Sequence, residues 1–261
     1  MIMTRLTLFA LVVFVFAGCS KEPDLHDQWE DVIAVEATLI VGQEVQNIKL
    51  RHLESDEYSY SPDPVSDANV QILVGDTTQT LSYDHESESY SKEGFIVQPS
   101  TTYKLFIEHH GREFRATTQT PPALQMKSSS DGYVTVNPSL PDTVLMKFWW
   151  NQIPASRYVV HIQQLEEDAE PIPFENDHPS FNSLHIEPMS ENGISVKTSE
   201  LEFYGWHYLE VVAVNEKYTD IYSYSSQVDQ NILEQGPSNI ENGYGFFTGV
   251  SPASFKFYVM D

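Results

Sequence analysis

The single thiol of this chain, Cys19, ends the run Phe16-Ala17-Gly18-Cys19. Arg5 is the only charge before it, and Leu6 to Phe16 holds nothing more polar than Thr7. A positive start, a short apolar stretch and small residues at the break form an export signal. Eleven residues are too few to cross a hydrocarbon layer of about 30 Å. Nine histidines are the next candidates. His109-His110 is the tightest pair, but neighbours along a strand point to opposite faces, so this pair is not expected to share a metal ion. Asp177-His178 and His185 fall in one long segment and could converge there. Carboxylates at alternate positions in Asp84-His85-Glu86-Ser87-Glu88 suit a hard cation such as calcium, although a solvated turn explains the same residues. No nucleophile elbow, phosphate loop, dinucleotide fingerprint, HExxH or EF-hand loop occurs. The expectation is therefore no catalytic residue, no metal and no cofactor. The one enzymatic alternative is a hydrolase whose loop carboxylates meet in space.

Tyrosine with serine and acid is the other recurrent pattern: Asp56-Glu57-Tyr58-Ser59-Tyr60-Ser61, Tyr83 to Tyr90, and Tyr222-Ser223-Tyr224-Ser225. Tyrosine offers wide contact area at little entropic cost and serine adapts its hydrogen bonds, the diet of binding surfaces. Tyr58, Tyr60, Tyr222 and Tyr224 are the candidate ligand or partner contacts. An edge strand with one aromatic face is the plainer reading of the same residues.

The charge balance excludes one class of partner. Thirty-eight acidic residues against 14 basic give −24. Loss of residues 1–18 removes only Arg5 and leaves −25. That field repels nucleic acid and anionic headgroups.

These residues need a scaffold, and the composition supplies a β-sheet one: Tyr, Phe, Val, Thr and Ser abound, with 12 Gly and 15 Pro for turns. Residues 19–31 are polar and proline-interrupted, a flexible tether. Val32 to Val41 and Val45 to Leu53 read as a hairpin, and further strands follow at Ala68 to Val74, Thr78 to Tyr83, Phe95 to Val97, Tyr103 to Ile107 and Glu113 to Thr120. Pro121-Pro122 closes this first module, 32–120. The second, 121–261, shows strands at Tyr133 to Val136, Val144 to Trp150, Arg157 to Leu165, Ile194 to Lys197, Trp206 to Asn215, Thr219 to Ser225 and Ala253 to Met260. A long 166–193 loop interrupts it, and Val228 to Glu234 reads as a helical turn or two. The fold class is all-β: two tandem sandwiches.

Three resemblances sharpen this. Ala17-Gly18-Cys19 resembles the lipobox of bacterial lipoproteins, with Phe16 where Leu is usual. It implies cleavage after residue 18, a diacylglyceryl thioether on Cys19 and an acylated amino terminus. Lys21-Glu22-Pro23-Asp24 loosely resembles the surface-export signal of Bacteroidota lipoproteins, implying an outer-membrane protein that faces outward. Val97-x-Pro99-x-x-x-Tyr103 resembles the tyrosine corner of immunoglobulin-like and fibronectin type III sandwiches. Leu201 and His207 hold the matching places 104 residues later, with histidine for tyrosine.

Finally, Val65-Ser66-Asp67-Ala68-Asn69-Val70, Thr102-Tyr103-Lys104-Leu105, Gly111-Arg112-Glu113-Phe114-Arg115-Ala116-Thr117, Thr120-Pro121 and Ser238 to Gly249 together resemble a Bacteroidota envelope lipoprotein family, domain of unknown function 4249. The resemblance brings no catalytic residues. It implies an accessory role beside a TonB-dependent outer-membrane transporter in nutrient uptake. A structural or adhesive envelope protein, with the sandwiches as spacers, is the alternative. The Gly243 to Gly249 motif is expected to tuck the last segment against the second sandwich.

Overall fold

The computed structural model describes residues 33–52, 63–174, 183–219 and 238–261. They form sixteen strands and two 3-10 turns, at Thr198–Glu200 and Glu216–Tyr218. In chain order the strands are β1 (Ile33–Ile40), β2 (Glu44–His52), β3 (Asn69–Val74), β4 (Thr77–Thr80), β5 (Ser82–Asp84), β6 (Ser89–Ile96), β7 (Thr102–His109) and β8 (Arg112–Gln119). They continue as β9 (Met126–Ser128), β10 (Tyr133–Thr135), β11 (Val144–Trp150), β12 (Ser156–Gln164), β13 (Ser183–Met189), β14 (Gly193–Lys197), β15 (Gly205–Asn215) and β16 (Tyr244–Met260).

In the first unit a four-stranded sheet, β4-β3-β7-β8, packs on β1, β2, β6 and β5. Strand alternation explains which residues fill the gap. In β7, Tyr103, Leu105 and Ile107 point inward with Lys104 and Glu108 outward. In β8, Phe114 and Ala116 do the same. Opposite them lie Val35, Leu39, Ile48 and Leu50. Each large side chain so buried stabilises the fold by about 1.5–3 kcal/mol. In the second unit β9-β11-β14 covers β12, β15 and the far half of β16 around Phe148, Trp150, Tyr158, Val160, Leu209, Val211 and Phe257.

The two units share β16. Its first half runs parallel to β1, from Ala34 opposite Tyr244 to Ile40 opposite Val250. Its second half runs antiparallel to β15, from Val214 opposite Val250 to Gly205 opposite Val259. Val250 alone is paired with both β1 and β15, and it packs in a small apolar cluster with Val159, Val214 and Ile40. The last strand thus joins both units into one nine-stranded sheet.

Several strands differ from the sequence reading. Thr78 to Tyr83 is two strands in different sheets: Leu81 turns inward, its N–H donating to the Val70 carbonyl at 2.9 Å, and the chain crosses from β4 to β5. The 166–193 segment is not all loop, since β13 pairs with β12 within it. Gly243 to Gly249 does not tuck against the second sandwich; it completes the first. A Cβ on Gly243 would lie 2.9 Å from Phe114, and one on Gly249 2.9 Å from the Thr120 Cα. Gly245, at φ +92°, abuts the Val35 backbone. Glycine there permits close strand approach and a backbone angle other residues avoid. Residues 220–225 and the helical turn expected at 228–234 lie outside the described residues.

Candidate functional site

Cys19, Tyr58, Tyr60, Tyr222 and Tyr224, as well as His178, lie outside the described residues. The other sequence candidates have definite places. Asp84 uses its carboxylate within its own turn, accepting from the Glu86 N–H at 3.1 Å and the Ser87 hydroxyl at 2.7 Å. The Ser87 bond leads the interactions that hold its carboxyl below the usual range. This is the pattern of a self-satisfied turn. His185 stands on β13 opposite His161 of β12, rings 6.4 Å apart.

The tyrosine corner forms where Tyr103 predicts it. The Gln98 N–H donates to the Tyr103 hydroxyl at 2.7 Å, and Thr120 donates to the Gln98 carbonyl at 2.7 Å. The second corner is not at His207. It is at Tyr158, whose hydroxyl accepts from the Ile153 N–H at 2.7 Å. Both corners read Pro-x-x-x-Tyr, and the residue after each proline, Ser100 or Ala155, has positive φ (53° and 54°). His207 is instead buried in the second core, its ring stacked on Phe257 at 5.3 Å and its Nδ1 3.1 Å from the Gly205 carbonyl. Burial holds its pKa below the ordinary histidine value, against the opposing Gly205 carbonyl and Glu166 carboxylate.

Among the described residues, one group of metal-ligating donors stands out, and it is one the sequence reading set aside. Asp67, His109 and His110 bring one ligand atom each within 4.8 Å of one another. Alternation fails for the two histidines because His110 is not a strand residue. It occupies the β7–β8 turn at φ 47°, and this swings its ring back onto His109, centroids 4.0 Å apart and planes at 22°. His109 Nε2 lies 3.1 Å from Asp67 Oδ1, and His110 Nε2 lies 3.5 Å from Asp67 Oδ2. His52, at the end of β2, faces His109 with centroids 5.6 Å apart. His109 is buried and its Nδ1 has no hydrogen-bond partner.

Asp67 owes its place to Tyr90. That buried hydroxyl donates to the Val65 carbonyl and accepts from the Ala68 N–H, both at 3.0 Å, bracketing the aspartate from either side. Burial pushes the Tyr90 phenol up to about 12, so it stays a neutral clamp. Burial also lowers the pKa of His109, reinforced by its stacked neighbour His110 and opposed by Asp67. At Asp67 the slight burial is outweighed by His109 and by hydrogen bonds, and the carboxyl stays below its usual range. The group at neutral pH is therefore an ionised carboxylate beside a buried neutral imidazole.

A cleft of about 180 Å³ opens in the second unit between β12, β13 and the Thr198–Glu200 turn. Gln164, Ser183, Ser199, Glu202 and His207 are among its walls. The Gln164 Oε1 accepts from the Glu166 N–H at 2.8 Å, while its buried Nε2 has no partner. The volume falls short of the roughly 300–1,000 Å³ of pockets for drug-sized ligands; it suits a single side chain or a very small polar molecule.

Among solved structures the chain is similar to chicken CNTN1 FN1-FN3 domains, with 12% identity and a TM-score of 0.28 over 87% of this chain and 66% of that one. It is also similar to protocadherin gamma B2 extracellular cadherin domains 3–6, with 7% identity and a TM-score of 0.22 over 86% of this chain and 46% of that one. The chain thus spans less than two thirds of the length of either. No curated protein matches it. A family model does, over residues 21–256, and the chain belongs to that family, described as Domain of unknown function (DUF4249).

Proposed function

We propose that this protein is a non-catalytic binding protein, anchored to the outer membrane through lipid on Cys19 and turned toward the cell surface, that assists a TonB-dependent transporter in nutrient uptake. The observation that carries the reading is the position of the only cysteine, directly after a short apolar run and a pair of small residues. A thioether-linked diacylglycerol and an acylated amino terminus bury enough methylenes, at about 0.8 kcal/mol each, for durable attachment. Residues 19–31 then act as the tether. The two units, joined by β16, give a stiff body that carries Tyr58, Tyr60, Tyr222 and Tyr224, the tyrosines that meet the partner. The strong negative charge calls for a partner with a basic face, and association that weakens as salt rises.

The test is metabolic labelling with a palmitate analogue, together with affinity purification from detergent-solubilised envelopes. The wild-type chain is expected to take up label, fractionate with the outer membrane and retain a transporter. Cys19→Ser should lose the label and move to the soluble fraction. An unlabelled wild type, or a Cys19→Ser chain that fractionates unchanged, overturns the anchoring. A labelled chain that retains no transporter overturns the accessory role.

A further inference from the structure

We propose that Asp67, His109 and His110 form a binding site for a divalent transition metal of the zinc class. Two imidazoles and one carboxylate suit zinc, copper or nickel, whereas calcium and magnesium take oxygen-only ligands. The spacing fits as well. Ligands about 2.1 Å from a tetrahedral zinc ion stand about 3.4 Å from each other. The two nitrogen–oxygen separations to Asp67 are 3.1 and 3.5 Å. The stacked rings must part, by rotation of the exposed His110 side chain, for both lone pairs to face one ion.

The group is held, rather than gathered by chance on a mobile surface. His109 is fixed by burial at the end of β7, its side chain 2% exposed. The backbone of His110 is set by its turn, and its exposed ring rests on His109. Asp67 is fixed by the Tyr90 clamp on Val65 and Ala68. Supporting bonds of this kind keep metal ligands in geometry. Asp67 presents one carboxylate to both imidazoles, Oδ1 to His109 and Oδ2 to His110.

Three protein donors leave one tetrahedral position. The side chains of Asp67 and His110 are 66% and 60% exposed, so that position is accessible to water or to an incoming donor. The inference is independent of the membrane reading and survives its failure.

The test uses the full chain, purified in detergent without a polyhistidine tag and stripped with a chelator. Zinc chloride is titrated by calorimetry, with bound metal counted after gel filtration. One zinc ion per chain is expected, with millimolar calcium unable to compete. His110→Gln alters an exposed turn residue and leaves the core intact; it should weaken zinc binding about tenfold or more. Asp67→Asn should do the same. His185→Gln, in the second unit, should change nothing. Absence of stoichiometric binding by the wild type overturns the proposal. So does an affinity within about twofold of wild type in both His110→Gln and Asp67→Asn, or a loss that follows His185→Gln instead.

Discussion

Replacing Gly245 by alanine probes the shared strand directly. A Cβ at this position meets the Val35 carbonyl oxygen, with the Val35 carbon at 2.9 Å and nitrogen at 3.0 Å. All three are backbone atoms, so no side-chain rotation relieves the contact. Val35 cannot retreat either, because its other edge is paired with Leu50 of β2. The added methyl group therefore parts β1 from β16 locally. About two ladder hydrogen bonds, each worth about 1 kcal/mol, are lost, together with the close packing around Phe247. The left-handed backbone angle adds about 1–3 kcal/mol, and Gly42→Ala controls for that cost. Gly42 has nearly the same φ, +84°, with no atom within 4 Å of its added Cβ. Gly245→Ala should thus destabilise by about 2–3 kcal/mol more than Gly42→Ala. Denaturant unfolding in a Trp29→Phe background measures it, because Trp149, Trp150 and Trp206 lie on β11 and β15 of the second unit. Their fluorescence transition should move even though the substitution strikes the β1 side. Equal losses in the two variants, within about 0.5 kcal/mol, would refute the reasoning.

Other outcomes follow from the corners and the buried histidine. Tyr103→Phe and Tyr158→Phe each strand a backbone N–H, and each should cost about 1–3 kcal/mol; denaturant unfolding checks this, and near-equal losses mark the two corners as equivalent. His207 is neutral when folded, with its pKa below that of the unfolded chain. Its contribution is complete above the unfolded value near 6.5 and is lost as pH falls from there through the folded pKa. His207→Gln should therefore flatten the decline in stability between pH 7 and pH 5 by up to about 1.4 kcal/mol per pH unit, as read from unfolding midpoints at stepped pH. A variant with the wild-type slope would mean that His207 takes up its proton without unfolding.

Local patterns in the chain foretold local structure. The β1–β2 hairpin, the inward face of β7 and the Tyr103 corner follow from period-two alternation and a Pro-x-x-x-Tyr spacing. The second corner was legible by the same rule at Pro154 and Tyr158. An aliphatic residue before His207 drew the comparison to a strand whose histidine only fills core. Asp67, His109 and His110 were hidden for a different reason. Alternation holds inside a strand, and His110 is the first residue past its end. Nothing local marks residue 67 as its neighbour either, since the two meet through Tyr90 and the β7 register. The pairing of β1 with β16 joins residues more than two hundred apart, and only the glycine spacing at 243, 245 and 249 hinted at so close an approach.

The arrangement of β16 also sets an order of assembly. β1 leaves the ribosome early, yet its parallel neighbour is the last strand of the sixteen to be made. Until then β1 and β15 each present a row of unpaired amides, the kind of bare border that recruits foreign strands. Such long-range closure is slow. A product cut short before residue 244 would keep both borders open, so aggregation or proteolysis, rather than a half-working protein, is the expected fate of incomplete chains.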